Sequence, residues 1–137
     1  MKSYFLPIIA AVLISGAPAQ ARQAPSASAE REEVAALWNR AGHGEAEAQN
    51  DLGHRYATGR GVKKDQSEAV YWFLKAAGQG LPAAQNNLGL AHAEGRGVPK
   101  DDAEAVYWYR RAATRGSAEA QSNLGSMYLA GRGVPQS

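Results

Sequence analysis

Three histidines, one pair of aspartates and three glycine-arginine loops are the residues of this 137-residue chain best suited to chemistry. His43, His54 and His92 could ligate zinc, but none stands in a His-Glu-x-x-His or comparable ligand spacing. Asp101 and Asp102 could offer paired carboxylates, which would need to converge on a pocket; capping of a helix start already explains them. The Gly-Arg-Gly-Val runs at 59–62, 95–98 and 131–134 resemble phosphate loops only superficially. They lack the Gly-x-x-x-x-Gly-Lys-Ser/Thr spacing and follow a predicted helix rather than a strand. No Ser-x-x-Lys or Gly-x-Ser-x-Gly signals a serine nucleophile. The absence of cysteine removes thiolate chemistry, disulfides and cysteine metal sites. No catalytic residue, metal ligand or cofactor is assigned on this basis, and a hydrolase with an unrecognised site is the remotest alternative.

What must position any site is a repeat. Ala48-Gln49-Asn50-Asp51-Leu52-Gly53 returns as Ala84-Gln85-Asn86-Asn87-Leu88-Gly89 and as Ala120-Gln121-Ser122-Asn123-Leu124-Gly125, at a constant step of 36 residues. A period between roughly 20 and 50 residues predicts a solenoid whose units cannot bury their apolar faces alone. Each unit reads as two helices. Helix A begins after Gly44, Gly80 or Gly116 and ends at Gly59, Gly95 or Gly131; Pro82 suits a first turn. Helix B starts at the N-cap Asp65 or Asp101, with Glu68 or Glu104 three residues on. Helical spacing predicts a buried side of Ala48, Leu52 and Tyr56 on A, with Gln49 and Gly53 at its edge. On B it predicts Ala69, Trp72, Phe73, Ala76 and Ala77, echoed by Ala105, Trp108, Tyr109, Ala112 and Ala113. Gly53, Gly89 and Gly125 fall in mid-helix, where glycine costs about 1 kcal/mol relative to alanine. That recurrence predicts a neighbouring helix or aromatic ring packed on a bare Cα.

Upstream of the repeats, Lys2, the apolar run Tyr4 to Ile14 and the small residues Ala19-Gln20-Ala21 form the pattern of a cleaved signal peptide over 1–21. The run is too short to span a bilayer, which takes about 20 apolar residues, and Pro7 interrupts it. Residues 22–29 read as a flexible linker. From Glu30 to Ala41, Val34, Leu37, Trp38 and Ala41 recur at helical spacing, so 30–43 reads as a half-repeat cap. Repeats at 44–79 and 80–115 follow, then an incomplete one at 116–137. The formal net charge is +2; removing 1–21 takes away only Lys2 and leaves +1, which does not predict a nucleic-acid-binding surface.

The order Ala-Gln-x-x-Leu-Gly-x-x-Tyr-x-x-Gly-x-Gly-Val, then Asp, then Ala-x-x-Trp-Tyr-x-x-Ala-Ala-x-x-Gly resembles the Sel1-like repeat, a relative of the tetratricopeptide repeat. The resemblance spans roughly residues 42–137. It implies an all-α solenoid of helical hairpins in a right-handed superhelix, binding protein or peptide partners on a concave surface. Exported bacterial members are associated with host interaction, envelope regulation and adaptor roles. This chain lacks the per-repeat disulfide of cysteine-rich members, and His92 replaces the tyrosine found at Tyr56 and Tyr128, most simply as a core substitute. Ser137 occupies the N-cap position of a third helix B, so the sequence reads either as a fragment, the preferred alternative, or as an edge covered by another molecule, with self-association open to it.

Two surfaces follow. Opposite the buried side of helix A stand Asn50, Asp51 and His54, then Asn86, Asn87 and Leu90, then Ser122, Asn123 and Ser126. Their carboxamides offer donors and acceptors to an extended backbone, or else bond neighbouring helices; for Asn87 and Asn123 the two roles weigh equally. The loop edge carries Arg60, Arg96 and Arg132 with Lys63, Lys64 and Lys100, a basic row suited to acidic segments or anionic envelope polymers, or an ordinary solvated loop. Tyr71-Trp72 and Tyr107-Trp108 suggest glycan stacking only until Trp72 and Trp108 are placed on the core face. The expectation is a non-enzymatic adaptor in the periplasm or outside the cell, with a polymer or glycan binder as the alternative.

Overall fold

Ser26 starts the first helix: its hydroxyl accepts a hydrogen bond from the Ala29 N–H at 3.2 Å. Helix α1 runs Ala27–Gly42, beginning earlier than the expected Glu30 because this cap satisfies an N–H of the first turn without an apolar partner. The computed structural model describes residues 25–134. The expected signal peptide at 1–21, the start of the linker and Ser137 lie outside the described residues.

The remaining helices are α2 (Ala46–Thr58), α3 (Gln66–Gly78), α4 (Pro82–Glu94), α5 (Asp102–Thr114) and α6 (Ala118–Leu129). Among the described residues there are six helices and no strand. Helices α2 and α4 end at Gly59 and Gly95, and Asp65 and Asp101 cap α3 and α5 by accepting from the Glu68 and Glu104 N–H groups, each at 3.1 Å. The cap residues also donate backward. Asp65 N–H reaches the Tyr56 carbonyl and Asp101 N–H the His92 carbonyl, both at 2.9 Å, closing each hairpin loop onto helix A.

Extensive helix contacts are made only between sequence neighbours, as a solenoid requires. The core is a series of small clusters, each bridging successive units. Val34, Leu37 and Ala41 of α1 meet Ala48 and Leu52 of α2 and Trp72 of α3. Phe73, Ala76 and Ala77 of α3 meet Ala84 and Leu88 of α4. Ala93 of α4, Val106 and Tyr109 of α5 and Met127 of α6 form the third. Alanine at the crossings lets helix axes approach; the larger side chains then fill the space beside them.

The repeated mid-helix glycine has the predicted function in two units of three. A Cβ on Gly53 would stand 2.7 Å from the Phe73 ring, and one on Gly89 would stand 2.6 Å from Cε1 of Tyr109. At Gly125 a Cβ would meet nothing within 4 Å. Burial raises the Tyr109 phenol to about 12, so the ring against Gly89 stays neutral.

Helical spacing overstated the burial of Trp108 and Tyr56. Trp38 is 43% exposed, although its ring meets Trp72 edge-on at 5.1 Å and Tyr56 at 6.5 Å. Trp72 is buried beneath these rings, whereas Trp108, one period later, is only half-buried. The positions one period after Trp38 and Tyr56 hold the smaller Leu74 and His92. Tyr56 and Ala113 are likewise half-buried. His92 substitutes for tyrosine incompletely, with Nε2 4.0 Å from Glu104 and Nδ1 buried without a partner.

Candidate interaction surface

On the outward side of the A helices the carboxamides bond to one another. Asn87 Nδ2 donates to Asn50 Oδ1 at 2.9 Å, joining α4 to α2, and Asn123 Nδ2 donates to Asn86 Oδ1 at 3.0 Å, joining α6 to α4. Asn86 is buried. Each such bond contributes a net stabilisation of about 1 kcal/mol and fixes the spacing of successive A helices. Asp51, His54, Ser122 and Ser126 remain exposed and Leu90 half-buried.

Two hollows flank His54. One, about 340 Å³, lies between α1 and α2, with Glu33 and Arg40 on one wall and Asp51 and Arg55 on the other. Arg55 Nη2 pairs with Glu33 at 3.1 Å, while its Nη1 is buried without a partner. The second, about 160 Å³, lies between α2, α3 and α4 and includes Asn87, Leu90 and Arg96. His54 belongs to both, so the structure groups it with Asp51 on one side and with Asn87 and Leu90 on the other. Ser122, Asn123 and Ser126 are on α6, away from either hollow.

The basic edge is largely neutralised. Arg60 pairs with Glu30 at 3.2 Å, Arg96 with Glu94 at 2.9 Å and Arg132 with Asp102 at 2.8 Å. Arg132 also donates to the Ala93 carbonyl at 3.1 Å, and Lys100 to Asp102 at 3.1 Å. Lys63 and Lys64 are exposed. Asp102 is held at about 2, below the ordinary 3.8, first by the hydrogen bond from Arg132 and then by that from Lys100. Its folded-state value is depressed, so the ionised carboxylate stabilises the fold above about pH 4, and that contribution is lost as pH falls towards 2. Urea midpoints measured from pH 4 to pH 2 should therefore fall more steeply in the parent than in Asp102→Asn.

A further role escaped sequence reasoning. The repeated glutamine bonds the end of the preceding helix B: Gln49 to the Ala41 carbonyl at 3.1 Å, Gln85 to Ala77 at 3.2 Å and Gln121 to Ala113 at 3.3 Å. The invariant eight-residue offset within the repeat was the available signal. Each of these carbonyls also accepts from a turn N–H, of Gly44, Gly80 or Gly116. The carboxamide, buried at Gln49 and Gln85 and exposed at Gln121, adds a second donor that ties helix A to the end of the preceding helix B. The histidines do not assemble. His43 ends α1 with Nδ1 2.6 Å from the Asn39 carbonyl oxygen, and His54 and His92 occupy α2 and α4.

Stacked helical hairpins joined by recurrent side-chain bonds define an α/α solenoid. The Sel1 repeat profile matches residues 46–81, 82–117 and 118–137, and the chain belongs to the Sel1 repeat family. Proteins of this family generally serve as protein-interaction scaffolds. Among solved structures, the chain is similar to a protective antigen present in uropathogenic Escherichia coli strains that displays an SLR fold: 40% identity, TM-score 0.75, covering 76% of this chain and 22% of that one. A Sel1 repeat protein from Oxalobacter formigenes gives 38% identity and TM-score 0.72, covering 77% and 43%. Helicobacter pylori cysteine-rich protein B gives 28% identity and TM-score 0.65, covering 69% and 71%. The chain thus spans less than half the length of the first two. No curated protein matches it.

Proposed function

We propose that this chain is a non-catalytic binding module of an exported bacterial protein, holding an extended segment of a partner protein across its A helices. The observation that carries the reading is the division of labour on that side. Asn50, Asn86, Asn87 and Asn123 lock α2, α4 and α6 together, leaving exposed Asp51 and His54 and half-buried Leu90 beside two hollows. A preorganised surface binds without an ordering cost of its own. Anionic-polymer binding along the arginine edge has less support, because Arg60 and Arg132 are engaged in ion pairs between units. Export is supported by the signal pattern at 1–21 and agrees with the antigen character of the Escherichia coli relative.

Photo-crosslinking in the envelope fraction tests the reading. A photoreactive phenylalanine at His54 or Leu90 should give one discrete protein adduct, absent when it replaces Tyr107 on the outer side of α5. Equal adducts at all three positions, or none at His54 and Leu90, would overturn it.

A further inference from the structure

The arginines of the loop edge follow a rule that the middle unit breaks. Arg60 and Arg132 each bond a carboxylate 30 residues upstream, Glu30 and Asp102, at the first turn of the preceding B-type helix. The corresponding residue for Arg96 is Gln66, which carries no charge. The Gln66 carboxamide instead donates to the Ala57 carbonyl at 3.3 Å. Deprived of an inter-unit partner, Arg96 pairs with Glu94, two residues away on its own chain segment; the two side chains are 58% and 43% exposed. Such a surface pair contributes little and exchanges readily for a better acceptor.

Arg96 lines the 160 Å³ cleft between α2, α3 and α4. Its walls are apolar where α3 brings Ala69, Val70 and Phe73 and where α4 brings Leu90 and Ala91; His54 also lines it. The space is well below the roughly 300–1,000 Å³ of small-molecule sites. It suits one aliphatic side chain of a longer ligand. Guanidinium forks bind carboxylates in two parallel hydrogen bonds, so the group beside that aliphatic chain is an acid.

We infer that this cleft is the specificity pocket of the A-helix surface, taking an extended protein segment in which an aliphatic residue neighbours an aspartate or glutamate whose carboxylate displaces Glu94 from Arg96. The inference rests on the reading proposed above. Charge complementarity selects the occupant, since the one loop-edge arginine released from stacking is the one that lines this apolar cleft.

Fluorescence polarisation with a labelled peptide containing Leu-Glu-Leu-Glu, flanked by Gly-Ser, tests it on the full chain. Binding should weaken at least tenfold in Arg96→Ala, and likewise when the peptide glutamates become glutamines. Gln66→Glu restores the upstream carboxylate that the other units have. It should recapture Arg96 and weaken binding to the same degree, while the melting temperature holds or rises. Unchanged affinity in both Arg96→Ala and Gln66→Glu overturns the inference. So does equal affinity for the glutamine peptide. The two readings separate by crosslinking: an adduct at Leu90 of undiminished yield in Arg96→Ala sinks the pocket alone, whereas no adduct at His54 or Leu90 sinks both.

Discussion

Gly97→Ala should destabilise the protein by about 2–5 kcal/mol, a large fraction of the roughly 5–15 kcal/mol that holds a domain folded. Two costs combine. Gly97 has φ +78°, and an L-residue in that left-handed region costs roughly 1–2 kcal/mol. A Cβ there would also collide with the Gln66 carbonyl oxygen, stand 2.6 Å from the carbonyl carbon and 3.0 Å from the Ser67 nitrogen. These are backbone atoms of the first turn of α3, which cannot rotate aside as a side chain can. Overpacking of this kind costs about 1–3 kcal/mol more. Gly78→Ala is the control: nothing lies within 4 Å of its Cβ position and its φ is not positive, so stability should hold or rise slightly. Urea unfolding followed by circular dichroism compares the two, and equal midpoints would refute the packing of this loop on α3.

Leu88→Ala should cost a comparable 2–5 kcal/mol, the range for truncating a buried leucine. Leu88 is 1% exposed and sits where α3 and α4 meet, in the middle of the stack. In a solenoid the middle unit carries two interfaces, so weakening it should also divide unfolding into separable steps. The same truncation at Leu52, equally buried, should cost a similar amount in free energy. At Leu124, only half-buried, it should cost distinctly less. A ranking with Leu124 highest would mean that the stack is not organised around its central unit.

The repeat made the fold legible because its signals are local. Asp65 and Asp101 announced helix starts, Gly59 and Gly95 announced helix ends, though α6 stops at Leu129 with Ala130 rather than Gly131 as its cap, and a glycine in mid-helix announced the rings of Phe73 and Tyr109. Each rule involves a helix and its immediate neighbour, and the 36-residue step copies it down the chain. Spacing failed for Trp108 because a helical wheel gives the direction of a side chain, not how much covers it. Trp72, at the same place one period earlier, is buried.

The candidate surface was legible only in outline. Its residues were found on the A helices and loops, yet the division of roles among them was not. Asn50 and Asn87 are 37 residues apart, and Arg132 and Asp102 are 30 apart. Whether such groups meet depends on the angle and offset at which one hairpin seats on the next. The amino-acid sequence by itself determined the all-α repeat, the starts of α3 and α5 and the family to which it belongs, because capping, periodicity and turn chemistry act over a few residues. Tertiary structure alone decided which asparagines, glutamines and arginines are spent on stacking, and that Arg96 is not among them, because hydrogen bonds between units require distances that only the packed hairpins set.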